Sequence, residues 1–261
     1  MKMKITLLAA IICLSALFSG VSVGAEGTVQ LTVTPGLVNI GAFYNGTTIT
    51  ATGTVPAESH VIVRFLGSSC DLHMKQKGKL FGIMWMNLDS LIFRGVPSVC
   101  IVSSAQDLDN LAQTAGGEWP VIKDLRLAGL QQNARVESNG GDQVKAFEEL
   151  IKLKNNEGLY LETSGNISYG EAINGQKSFR VEIRVPSRLS PGKYVVELAA
   201  VNGGELIAHA EQPVTVNLVG FPALLSKLAF GHAALYGILA TIIALLAGLA
   251  IGMVFDSKGA H

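Results

Sequence analysis

Thr48-Ile49-Thr50-Ala51-Thr52-Gly53-Thr54-Val55 alternates threonine with a small or apolar residue at every step. A period of two sends successive side chains to opposite faces of a pleated strand, so Ile49, Ala51 and Val55 predict one buried face and the threonines a wet one. The same alternation returns far along the chain. Phe179, Val181, Ile183 and Val185 interleave with Arg180, Glu182 and Arg184. Further strands are predicted over 29–33, 61–66, 79–87, 98–103, 159–163, 194–201, 205–209 and 214–218. Asn45-Gly46, Pro191-Gly192 and Asn202-Gly203-Gly204 supply turn chemistry between them, the last in the manner of a hairpin. Many short strands joined by tight turns predict a mainly β protein, an immunoglobulin-like β-sandwich. Tyr194, just past the Pro191-Gly192 turn, is placed to bond nearby backbone as a tyrosine corner does.

The middle of the chain departs from this period. Leu108, Leu111 and Ala112 follow Ser104-x-x-Asp107, and Val144, Phe147, Leu150 and Ile151 recur at helical spacing after Asp142. These predict two helices, with a third over 121–130, inserted into the sandwich. Glu148 and Lys152, four apart, read as a solvated ion pair.

The ends have another character. Lys2 and Lys4 precede an apolar run from Ile5 to Phe18 that closes on Val23-Gly24-Ala25, the layout of a secretory signal. Cleavage there would remove two lysines and leave a net charge of −2. Ala233 to Phe255 carries no charge over 23 residues. At 1.5 Å per residue it covers a hydrocarbon core of roughly 30 Å. The expected organisation is therefore a signal peptide (1–25), a first part of the sandwich (26–103), a helical insertion (104–157) and a second part (158–220). A juxtamembrane segment (221–232), a transmembrane helix (233–255) and a short cytoplasmic tail (256–261) follow. Export up to such a stop places the body in the periplasm and anchors it in the inner membrane. Gly248 and Gly252 form a GxxxG in the span, a spacing that lets helix backbones approach closely.

Composition narrows the function classes. Of 261 residues 49% are apolar and 15% charged, with 20 Lys and Arg against 20 Asp and Glu. Such a balance fits neither a disordered tail nor a nucleic-acid binder, because no basic footprint faces a phosphate backbone. No Ser lies in a GxSxG turn, and Gly192-Lys193 lacks the glycines of a phosphate loop and leads into a strand. No enzyme activity and no cofactor are expected. Cys70 and Cys100 are the thiols that remain after signal removal. They are a candidate disulfide, or two separately buried small hydrophobes. A third reading joins Cys70, His73 and Cys100 as a thiol- or metal-handling set. The run Gly82-Ile83-Met84-Trp85-Met86-Asn87 suits an adaptable interface or a buried strand, with the core reading favoured.

Several stretches together resemble a known family. They are Lys75-Gln76-Lys77-Gly78-Lys79, the Gly82 to Asn87 run, Phe93-Arg94-Gly95-Val96-Pro97-Ser98, Val219-Gly220-Phe221 and Leu235-Tyr236-Gly237. Over nearly the whole mature chain they are similar to the alphaproteobacterial transmembrane-protein family. Cys100 and Phe221-Pro222 depart from its pattern. The resemblance implies a signal-bearing, single-span protein with no assigned catalytic residue. It also implies a gene neighbourhood shared with permeases of the sulfite-exporter type, hence a transport accessory partnered with an integral membrane protein or with itself through the span.

Overall fold

The strands, in chain order, are β1 (Gln30–Thr34), β2 (Leu37–Ile40), β3 (Thr47–Pro56), β4 (His60–Gly67), β5 (Ser69–Leu80), β6 (Met84–Pro97), β7 (Cys100–Ser104), β8 (Arg135–Glu137), β9 (Tyr160–Ser164), β10 (Ile167–Ile173), β11 (Gln176–Val185), β12 (Gly192–Asn202) and β13 (Glu205–Leu218). The helices are α1 (Leu108–Thr114), α2 (Pro120–Leu125), α3 (Leu130–Asn133), α4 (Gln143–Asn156), α5 (Gly220–Gly231) and α6 (Ala233–Asp256). These come from a computed structural model of the chain, which describes residues 29–114, 120–137 and 142–256. The signal segment, the Gly116-Gly117 and Asn139-Gly140-Gly141 breaks and the tail beyond Asp256 lie outside the described residues.

The threonine-rich strand is central to the first sheet, whose order is β1-β3-β11-β10. Ile49, Ala51 and Val55 are fully buried, as are Val181, Ile183 and Val185 on its antiparallel neighbour β11. Each valine or isoleucine among them contributes about 1.5–3 kcal/mol by leaving water. Gly53 is required by proximity: a Cβ there would sit 1.9 Å from the Gln30 carbonyl oxygen and 2.8 Å from the Phe179 ring.

The second sheet runs β2-β13-β12-β4-β7-β9 and faces the first across one shared core. Its interior pairs are antiparallel, while β2 with β13 and β7 with β9 are parallel. A parallel pair cannot be closed by a tight turn and needs a long crossover. Between β7 and β9 that crossover is the helical segment, which explains why helices interrupt the sandwich there. Asp142 caps α4 by accepting the Val144 and Lys145 N–H groups at 3.0 and 3.3 Å. Phe147 and Leu150 are buried beneath it, Phe147 against Phe93 with ring centroids 6.4 Å apart.

A third sheet, β5-β6-β8, extends the second. Leu66 stands opposite Cys100, Gly67 donates to the Val99 carbonyl, Ser98 donates to the Ser68 carbonyl, and Ser69 stands opposite Pro97. The β4–β7 ladder therefore continues into β5–β6 as one long hairpin.

The architecture is the mainly β sandwich with inserted helices and an apolar C-terminal helix that the sequence predicts. Strands β2, β8 and β10 lie outside the predicted stretches, and four further details differ. The strand expected over 79–87 is the tip of the hairpin, because Leu80 pairs with Met84 around a three-residue turn, Phe81-Gly82-Ile83. Strands expected over 205–209 and 214–218 are one, β13. Pro213 lies within it, on a stretch that β2 does not flank, since β2 pairs only from Thr215 onward. The third helix is split, with α2 ending before an extended Arg126 and a 3-10 turn, Leu127–Gly129, leading into α3. Lys152 meets Glu149 at 3.2 Å, three residues away, instead of Glu148.

Candidate functional site

Three features hold chemistry not consumed by folding: the hairpin tip, the two thiols and the span.

The hairpin divides into a covered base and a bare tip. Near the base, Leu72 and Met74 on β5 stand opposite Phe93 and Leu91 on β6, and α4 covers them. A cavity of about 450 Å³ remains between α4 and this part of the hairpin, floored by Leu91, Phe93 and Leu150 and edged by Lys145 and Glu149. Gly95, with φ +72°, makes a bulge in β6. Asp71 accepts from the Gly95 N–H at 3.2 Å and from Arg94 at 3.1 Å, and Arg94 also donates to Glu137 on β8 at 2.6 Å. The Arg94 bond holds the Glu137 carboxyl below its usual range.

Beyond α4 the same strands carry apolar side chains into solvent. Phe81 and Ile83 are each 87% exposed, Trp85 68%, Met84 62% and Met86 41%. The core reading of this run is therefore corrected: the turn at Gly82 places it past α4, where no second layer meets it among the described residues. Phe81 adopts φ +52° and Gly82 φ +76°. Two successive left-handed residues make the turn, and for a bulky aromatic that conformation is costly. Lys79 stands opposite Trp85 with its Nζ 5.4 Å from the ring centroid. Alternation along β5 puts Lys75, Lys77 and Lys79 on that same face, all exposed.

Cys70 and Cys100 are both free thiols, so the disulfide considered from the sequence is not formed in this structure. Cys100 is fully buried on β7, opposite Tyr160 of β9, and burial pushes its thiol up to about 12. Cys70 is half-buried on β5, and both thiols lie near enough to Tyr160 to influence its hydroxyl. His73 does not join them. Along β5, Cys70 and Leu72 face inward while Asp71 and His73 are exposed on the other side, which splits the proposed Cys70, His73 and Cys100 set. Among the described residues no three His, Cys, Asp or Glu side chains gather as a metal site.

The span is α6. Its segment Ala233–Phe255 has mean hydropathy 2.7 and none of its most apolar window is buried by the rest of the protein. Ala244, Gly248 and Gly252, four apart, leave a shallow groove bordered by Leu245, Leu249 and Met253. A Cβ built on either glycine meets nothing within 4 Å. Upstream, α5 exposes Phe221, Leu224 and Phe230. Sequence periodicity gave no sign of this apolar connector or of the bare tip, since either could have been covered by another element. The sign available was local: a Gly inside an apolar run.

Fold and span together define a membrane protein, a β-sandwich body carried on one C-terminal apolar helix. The family model described as "Putative transmembrane protein (Alph_Pro_TM)" matches residues 28–257, and the chain belongs to that family. No curated protein matches it. Among solved structures, one of murine CRIg is similar at 9% identity over 74% of this chain and 100% of that one, with a TM-score of 0.25.

Proposed function

We propose that this protein is a non-enzymatic accessory subunit, tethered to the inner membrane with its sandwich in the periplasm, that docks onto an integral membrane partner. A sulfite-exporter-type anion permease is the leading candidate, on the gene neighbourhood that the family resemblance implies. The observation that carries the reading is the direct joint between body and span: β13 ends at Leu218, α5 begins at Gly220 and α6 at Ala233. A folded body held this close to the bilayer is confined to the partners embedded beside it, and confinement raises its effective concentration there.

Purification of the full chain from its native membrane in mild detergent tests this. A stoichiometric integral membrane partner is expected, and recovery as a partner-free monomer sinks the docking role. A reporter active only in the cytoplasm, fused at Gly140, tests the sidedness separately; activity there overturns the periplasmic placement.

A further inference from the structure

We propose that the tip of the β5–β6 hairpin is a second membrane attachment, inserting Phe81, Ile83, Met84 and Trp85 into the interface of an anionic lipid bilayer. Three observations converge on a lipid surface as the occupant.

Register fixes where the hairpin leaves the sandwich. Gly67 at the end of β4 stands opposite Tyr194, and Tyr194 stands opposite Val214. From that row β13 runs on to Leu218 and the chain enters α5 and the span, while β5 sets out in the same direction. The hairpin thus departs from the membrane-proximal end of the second sheet. Reach is sufficient: β5 has 12 residues, about 40 Å at 3.3 Å each, whereas the 12 residues of α5 cover about 18 Å.

The tip is apolar on both faces and at its apex. Trp85 lies on one face, Met84 and Met86 on the other, and Phe81 and Ile83 form the turn, all exposed. A protein groove takes one face of a strand, whereas a bilayer surrounds an inserted element. Trp at the rim of an apolar tip is the side chain that membrane interfaces favour.

Charge then selects the lipid. Lys79, Lys77 and Lys75 form an exposed row running back from the tip, about 7, 13 and 20 Å behind Phe81, the last two beside the α4 cavity, so Lys79 stands at headgroup depth and the others above it once the turn is immersed. Each lysine close to an anionic surface is worth roughly a fivefold gain in binding, falling off with distance, so the row gives at most on the order of a hundredfold.

The full chain is reconstituted into vesicles of phosphatidylcholine with phosphatidylglycerol, some carrying brominated acyl chains. The sequence holds two tryptophans, Trp85 and Trp119, and the emission of Trp85 is read as the difference between the native chain and Trp85→Phe. A blue-shifted difference spectrum, quenched by brominated chains, is expected. Quenching should fall in pure phosphatidylcholine and in the Lys75→Gln, Lys77→Gln, Lys79→Gln triple variant, whose surface changes leave the core untouched. A difference spectrum typical of water, open to iodide and insensitive to bromine, overturns the proposal, whatever protein partner the body has. Quenching indifferent to lipid charge and to the three lysines overturns its anionic selectivity.

Discussion

Tyr194 donates its hydroxyl hydrogen to the Ser190 carbonyl at 2.7 Å while its ring stacks on Phe65, centroids 5.2 Å apart and planes within 2°. One residue thus pins the turn before β12 and fills the core beneath β4. Tyr194→Phe keeps the stack and removes only the bond to the solvent-exposed Ser190 residue, so a loss of about 0.5–1.5 kcal/mol is expected in denaturant unfolding of the full chain. Tyr194→Ala removes both and should cost about 3–5 kcal/mol. Equal losses for the two would show that the hydroxyl bond alone matters.

Arg64 and Glu197 face each other across β4 and β12 with side chains 17% and 18% exposed, Nε donating at 3.0 Å. Removing one partner leaves a poorly solvated charge. Arg64→Met or Glu197→Gln should each destabilise by about 2–4 kcal/mol, and the double variant by less than the sum. A double-mutant cycle measures the coupling, and strict additivity would refute it.

Acid should loosen the hairpin base before the sandwich. Arg94 holds Glu137 below its usual value, so the charged form is favoured in the folded protein. Stability from that pair is present above the ordinary carboxylate value of about 4.3 and is lost as pH falls through the lowered one. Amide exchange at Ile92 to Arg94, which pair with β8, should quicken over that window. Arg94→Ala should quicken it at neutral pH and remove the pH dependence.

The thiols should differ in reactivity. Cys100 is buried with its thiol pushed up to about 12, so at about pH 8 iodoacetamide should modify Cys70 and spare Cys100 until the protein is unfolded. Protection of both, relieved only by a reductant, would reveal a disulfide in the cell-derived protein.

Gly248→Ile with Gly252→Ile fills the groove on α6 and should weaken any helix pairing, read by cross-linking in vesicles. Unchanged association would take the span out of the interface.

The sequence made legible whatever local period controls. Ile49 to Val55 and Phe179 to Val185 announced their strands because each buries one face, and the 23 uncharged residues of α6 announced a span. The Tyr194 contact followed from its place after a Pro-Gly turn. What escaped depends on neighbours distant in sequence. Met84 and Trp85 carry the same apolar signature whether a helix covers them or not, and α4, some 60 residues on, stops short of them. Cys70 and His73 are three apart in the chain, yet a strand turns them to opposite sides. The stretches 205–209 and 214–218 read as two strands, and they join because Pro213 sits where β2 does not flank β13, the β2 pairing beginning only at Thr215.

That parallel pairing has a mechanical corollary. β2 and β12 flank β13 together at Thr215 and Val216, and β2 continues alone to Leu218, just before the chain enters α5 and the span. A tug along α6 pulls β13 lengthwise and loads the hydrogen bonds on both of its edges in shear and together, so the strand that carries the span is held from two sides against being peeled out of the sandwich.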